Sequence, residues 1–452
     1  MNQIPSSWML APIGDLCDLK NGRAFKPTEW SDEGLPIVRI QNLNNKNASF
    51  NYYSGKYEEK YHLKGGELLF AWSGTPGTSF GAHVWRGGEA LLNQHIFRVD
   101  FSKDFLDHRL FRHAINQQLN ALISKAHGGA GLQHVTKGKF ETTEIAVPPL
   151  NEQHRIADKL DTTLAHVDAL KDRLARITPL LKRFRQSVLA AATSGRLTED
   201  WRRFQKNVAW NKKTLAEICQ DNRIITYGVI KLGDEVIGGV PCLRTSNVRW
   251  LCFELDGIKS IAKELSTEYG RTILQGREVL VNVRGTLGGV AVVTPEMTGW
   301  NVSREVAVVP IDESIAISEF VAIWIGTEEC QRWLTGVAKG VAYTGINLED
   351  LRTLKINLPP KKEQEEIVRR VASLFAFADS LEARLQSAQT AAERLTPALL
   401  AKAFRGELVP QDPNDEPATE LLRRLREARA AQAPTKPKRG RKAGAAGQVA
   451  GA

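Results

Sequence analysis

Two stretches of this chain carry apolar residues at steps of three and four. In the first they fall at Ile156, Leu160, Leu164, Val167, Leu170, Leu174, Ile177, Leu181, Phe184 and Val188. In the second they fall at Ile367, Val371, Phe375, Ala378, Leu381, Leu385, Ala388, Ala392, Leu395 and Leu399. That spacing keeps one stripe of a helix apolar and predicts two long helices paired along a coiled-coil seam. The first seam would run roughly 50 Å at about 1.5 Å per residue. Two surface helices, each packed on its own domain, would be the plainer solution. The narrow stripe and the equal lengths favour pairing with each other. Pro148-Pro149 and Pro359-Pro360 force extended backbone and mark the helix starts. Pro179 and Pro397 lie inside the pattern and predict a kink or a restart.

Between the helical stretches the pattern changes to short alternating runs broken by Gly, Pro and Asn. Pro36–Ile40, Glu67–Phe70, Arg277–Val281 and Val306–Val309 read as strands of mixed α+β domains. The chain also repeats itself. Residues 145–198 lie over 356–409 at a constant offset of 211, with 17 of 54 positions identical and no gap. A period this long is a duplicated module, since solenoid units run to about 20–50 residues. The alternating regions are related too. Gly34-x-Pro36-x-x-Arg39-x-x-Asn42 recurs as Gly239-x-Pro241-x-x-Arg244-x-x-Asn247, and Gly74-Thr75-x-Gly77 as Gly285-Thr286-x-Gly288. Trp8 and Trp210 precede Cys17 and Cys219 at one distance, which suggests equivalent core positions. The expected fold class is α+β: two pseudo-twofold-related α/β domains separated by a pair of long antiparallel helices. The expected segments are a first domain over 1–150, a helical spacer over 151–206, a second domain over 207–361 and a second spacer over 362–411. A short helix and a disordered basic tail follow over 412–452.

Charge narrows the function classes. The net charge is +10, which favours a polyanionic partner, but it is unevenly placed. Residues 1–144 carry 16 basic and 14 acidic side chains, and residues 207–355 carry 16 and 18; residues 145–206 carry 12 and 7. Nucleic acid would therefore meet the domains through localised contacts. Five scattered cysteines read as reduced thiols. No secretory leader or membrane span is visible, so the expected location is the cytoplasm.

Convergent catalytic groups do not emerge. There is no phosphate-binding Gly-x-x-x-x-Gly-Lys-Ser/Thr loop and no metal-binding histidine spacing. Asn357–Pro360 only approaches the motif of an amino-methyltransferase, and Glu58-x-Lys60 is half of a nuclease motif. The chain is expected to be non-catalytic, with no cofactor or metal site of its own. Glycine-flanked polar clusters remain. Arg39, Gln41, Asn42 and Asn44 pair an arginine suited to guanine with amides suited to adenine; Arg244, Ser246, Asn247 and Arg249 stand opposite them in the second copy. Ser73 and Thr75 match Arg284 and Thr286; Gln94 and His95 match Arg304 and its neighbour; Gln133 and His134 match Thr344 and Gly345. Singly each could be a solvated turn. Together they share a framework and differ at the polar tips, as two reading heads for different sequences would.

The duplicated Pro148-Pro-Leu-Asn-Glu-Gln-His-Arg-Ile156 and Pro359-Pro-Lys-Lys-Glu-Gln-Glu-Glu-Ile367, with the helix exit Ala401–Leu408, resemble the specificity subunit of type I DNA restriction–modification systems. That resemblance implies two target recognition domains, each reading half of a split double-stranded DNA target. It implies that the helices act as spacer and as docking surface for two modification subunits, which carry S-adenosylmethionine. It further implies restriction subunits that supply ATP- and Mg-dependent translocation and cleavage. Candidate docking residues are Glu152, Gln153, Ile156, Glu363, Gln364 and Ile367; Lys182, Arg183 and Arg185 are candidates for the spacer DNA backbone. The alternatives are a stand-alone DNA-acting enzyme with an unrecognised site, or a coiled-coil scaffold with no DNA role.

Overall fold

A computed structural model describes residues 4–45, 47–74, 80–124, 133–204, 209–338 and 345–432. The chain divides into two compact units, residues 1–171 with 390–452, and residues 172–389. Each unit takes in one end of each long helix.

In the first unit the strand Leu68–Ala71 lies between Ile96–Asp100 and Gly81–Val84, with Asp18–Asn21 at the edge beyond Ile96–Asp100. All four residues of Leu68–Ala71 are buried, because this strand is covered on both faces. Its period of two sends Leu68 and Phe70 into the helical core, with Trp8, Phe140 and Ile156. It sends Leu69 into a smaller core with Val38, Leu63 and Trp85. That second core is built on another sheet, in which Leu35–Val38 runs parallel to Ala90–Leu92. A separate ribbon, Met9–Pro12 against Glu144–Val147, leads directly into the first long helix.

The second unit repeats this design. Val279 and Val281 enter a core with Phe320 and Ile367, while Leu280 enters the one with Leu243 and Val302. The ribbon is Asn211–Thr214 against Lys355–Leu358, and the parallel pair is Val240–Leu243 with Asn301–Val302. The expected equivalence of Cys17 and Cys219 is present: each thiol donates to the carbonyl four residues earlier, Ile13 at 3.3 Å and Leu215 at 3.2 Å. All five cysteines are free.

The long helices span Leu150–Thr193 and Lys361–Phe404. Within the first unit Ile156, Ala157 and Leu160 share a core with Ala403 and Phe404, and Lys171 Nζ donates to Thr396 Oγ1 at 3.5 Å. Within the second, Val188 and Ala192 share a core with Ile367 and Val371, and Arg185 donates to Asp379 and Glu382. In both units one helix rises in number as the other falls, so the pairing is antiparallel. Lys171–Thr396 and Glu382–Arg185 are one contact seen twice, since 211 residues separate Lys171 from Glu382 and Arg185 from Thr396. Burial follows a seven-residue period, at Leu160, Val167, Leu181 and Val188, with Leu174 between them half-buried, and at Val371, Ala378, Leu385 and Ala392. Ile156 and Ile367, at the helix starts, are buried in the cores of their own units; the other seam positions are less covered, with Leu170, Ile177 and Leu395 exposed, because a two-helix seam is narrower than the apolar stripe. Of the kink or restart expected at the internal prolines, a restart does not occur: both helices are continuous through Pro179 and Pro397. Both prolines, and Ala175 and Glu393 whose carbonyls lose their partners, lie on the exposed side, where water can satisfy them.

The helix Ala418–Gln432 is not a loose appendage. It sends Leu421, Leu422 and Leu425 into the first unit's core and pairs Arg426 with Asp15 and Arg429 with Asp18. The tail beyond it lies outside the described residues. Among the described residues no helix is long and apolar enough to cross a membrane.

Candidate nucleic-acid interface

The polar clusters lie at strand ends gathered by a shared set of backbone hydrogen bonds. In the first unit the Asn93 N–H donates to Val38 O (3.2 Å), Trp72 N–H to His95 O (3.3 Å) and Val135 N–H to Trp72 O (2.9 Å). In the second unit the Ser303 N–H donates to Leu243 O (2.8 Å), Val283 N–H to Glu305 O (2.9 Å) and Ile346 N–H to Val283 O (2.8 Å). Ser73 pairs antiparallel with His134, as Arg284 does with Gly345. Each unit therefore brings four loops to one place, and the four are those the sequence comparison matched.

On that common scaffold the side chains differ. In the second unit Ser246, Arg249, Arg284, Thr286 and Arg304 are exposed. The Arg284 guanidinium lies 6.0 Å from the centre of the Tyr227 ring, itself exposed; this aromatic–cation pair was not singled out from the sequence. Arg244 is half-buried and donates to Gly257 O at 3.3 Å. In the first unit Gln41 and Asn44 are exposed, while Gln94 and His95 are half-buried, with their Nε2 atoms 3.2 Å apart. Arg39 is held by Asn51 at 3.2 Å and stands 5.5 Å from the Trp30 ring centre. One head is thus rich in amide and imidazole, the other in guanidinium.

Several expected contacts are corrected by burial. Asn42 accepts from its own turn at Arg39 N and donates to Ala48 O and Ser49 O. Asn247 accepts from Arg244 N and donates to Glu254 O. Both amides hold their loops and cannot also read a base. Ser73 is buried at 4% exposure and is not a surface group. Thr75, Thr344 and the side chains of Gln133 and His134 lie outside the described residues.

The expected docking residues point inward. Glu152, Gln153, Ile156, Glu363, Gln364 and Ile367 are all buried. Trp8 Nε1 donates to Glu152 at 2.9 Å and Trp210 Nε1 to Glu363 at 3.0 Å. The second oxygen of Glu152 accepts from Gln411, and that of Glu363 from Thr198 at 2.8 Å. Gln153 donates to Pro148 O (2.9 Å) and accepts from Asp107 N (2.9 Å); Gln364 donates to Pro359 O (2.8 Å) and accepts from Ile317 N (2.8 Å). Burial pushes the Glu152 carboxyl up, against the hydrogen bonds from Trp8 and Gln411. The repeated Glu-Gln therefore welds each helix start to its own unit. Arg185 is corrected likewise: it pairs with Asp379 (2.6 Å) and Glu382 (2.7 Å), which leaves Lys182 and Arg183 as the exposed cations of that strip.

Among the described residues no cluster of three or more His, Cys, Asp or Glu side chains could hold a metal ion. Residues 5–178 and 207–389 match the family described as the type I restriction modification DNA specificity domain. The chain is 35% identical over 422 residues to the EcoBI specificity subunit of Escherichia coli, covering 90% of this chain and 88% of that one. It is 30% identical to the EcoKI specificity subunit of Escherichia coli strain K12, over 90% and 91%. The fold is shared with the HsdS subunit from Thermoanaerobacter tengcongensis (TM-score 0.57, 17% identity, 90% of this chain and 98% of that one). It is also shared with a chain from a structural study of type I R-M assembly and conformational transition (TM-score 0.61, 20% identity, 90% and 99%). Two matched copies of the domain and this degree of identity over nearly the whole chain decide the assignment: the protein belongs to the specificity subunits of type I DNA restriction–modification systems.

Proposed function

We propose that each unit reads one half of a bipartite double-stranded DNA target, and that the chain recognises while its partners catalyse. The observation that carries this is the identical backbone scaffold at Trp72 and Val283, which presents different exposed side chains in the two units. Arg284 and Arg304 are suited to guanine O6 and N7, Gln41 and Gln94 to adenine. Selection from a randomised duplex pool by the assembled complex tests it: two separated blocks of preferred bases are expected, and a single block or no preference overturns it.

Two modification subunits are proposed to bind, one per unit, on apolar side chains that the helices leave exposed. These are Leu170 and Leu395 in the first unit, and Ile177, Leu180 and Phe377 in the second. S-adenosylmethionine, and the ATP and Mg used by restriction subunits, belong in this reading to the partners, and the complex works in the cytoplasm. Native mass spectrometry checks the 2:1 ratio. Incubating the chain alone with DNA and S-adenosylmethionine or Mg checks that it has no activity by itself.

A further inference from the structure

Asn282 ends the central strand of the second unit, opposite Val306. Its counterpart in the first unit is Ala71, opposite Ile96. At 2% exposure Asn282 cannot reach DNA. Its Nδ2 instead donates to Thr245 O (3.3 Å), Val248 O (3.1 Å) and Thr286 O (3.1 Å). Those carbonyls belong to the two loops that carry Ser246 and Arg249, and Arg284 and Thr286. An amide has two N–H donors for three acceptors, so the knot is shared and depends on close approach. Gly289 permits that approach: a Cβ there would stand 2.3 Å from both Asn282 Nδ2 and Val248 O. The first of these loops is then laid along the next strand, with Leu251 N–H donating to Val290 O (2.7 Å) and Val290 N–H to Arg249 O (2.9 Å).

We propose that Asn282 is a positioning residue for base selectivity in the second unit, fixing the 244–251 loop against the 284–288 loop so that Arg249 and Arg284 face the same short stretch of DNA. The inference rests on the reading of these loops as DNA-reading elements. Arginine discriminates bases only when its fork is held at a set angle to a base edge, and Asn282 supplies that constraint from below the surface.

The test uses the full chain assembled with its modification subunits. Wild type, Asn282→Ala (the residue of the first unit) and Asn282→Ser, which keeps one donor, are compared on a duplex pool with every single-base change in both half-sites. Methylation of near-cognate second half-sites, relative to cognate, should rise about tenfold in Asn282→Ala, with Asn282→Ser intermediate and the first half-site unchanged. Hydrogen exchange at the Leu251 amide should quicken in the same order. A uniform loss across all second half-site sequences would make Asn282 a merely structural residue and overturn the proposal, as would unchanged Leu251 exchange or equal relaxation in both half-sites. A wild type that discriminates in neither half-site would instead overturn the recognition reading itself.

Discussion

Trp8 donates its indole N–H to Glu152 at 2.9 Å, across 144 residues of chain. The contact ties the first ribbon strand's approach to the start of the long helix, and the Trp210–Glu363 contact does the same at 3.0 Å. A carboxylate buried this way is a structural element: its removal takes the acceptor from the Trp8 indole N–H and leaves the Gln411 amide with Gly406 O alone.

Glu152→Ala and Gln153→Ala should therefore destabilise the first unit by about 2–3 kcal/mol each, the cost of stranding buried hydrogen-bonding groups. Glu363→Ala and Gln364→Ala should do the same to the second. Thermal melting of the chain checks this. A variant that melts like wild type but fails to bind modification subunits would return these residues to a docking surface.

Asp107 gives a pH signature. It caps the helix His108–Gln117 through Arg109 N and Leu110 N. Burial would raise its carboxyl, but hydrogen bonds from Arg109, His154 and the helix backbone overcome that and hold it at about 2, below its ordinary 3.8. A carboxyl with a lowered folded pKa stabilises above its unfolded value and loses that contribution as pH falls. The stability supplied by Asp107, about 2 kcal/mol, should be complete above roughly pH 5 and vanish between pH 4 and 2. Asp107→Asn keeps a cap but removes the charge. Its deficit against wild type should close over that same acid range in urea melts, and a gap constant with pH would count against the assignment.

The helix strip separates two roles within three cations. Lys182 and Arg183 are exposed, while Arg185 is taken by Asp379 and Glu382. Neutralising Lys182 and Arg183 together should weaken cognate and unrelated DNA alike and reduce the salt slope by roughly one to two. Arg185→Ala should leave the slope alone and lower the second unit's melting temperature. If Arg185→Ala changed the slope as much as the pair, the ion pairs would not hold in the DNA complex.

These contrasts mark what the sequence could reveal. The seven-residue burial rhythm, the antiparallel seam and the four matched loops were legible, because periodicity and repetition report directly on faces and on equivalent places. The direction in which a polar residue points was not. Glu152 and Asn42 belong to residue types that usually face solvent, and only distant partners turn them inward: the Trp8 indole for one, the Ala48 and Ser49 carbonyls for the other. Asn282 escaped for a related reason. Its counterpart is Ala71, so the repeat that exposed the other sites hid this one.

The seven-residue rhythm sharpens the relation between helix length and DNA target. An insertion that preserves the buried stripe must add a whole period to both helices, because a change in one alone shifts its stripe against its partner. Seven residues inserted after Ala175 and seven after the equivalent Gln386 add about 10 Å at 1.5 Å per residue. At about 3.4 Å per base pair that corresponds to roughly three base pairs. The expected outcome is a target with the same two half-sites and a spacer longer by about three, read by mapping methylated adenines in a genome carrying the variant. Replacing residues 1–150 with another member's should do the converse, changing one half-site and leaving the spacer as it is. Altered base preferences in the insertion variant, or an unchanged spacer with full activity, would show that something other than helix length sets the separation.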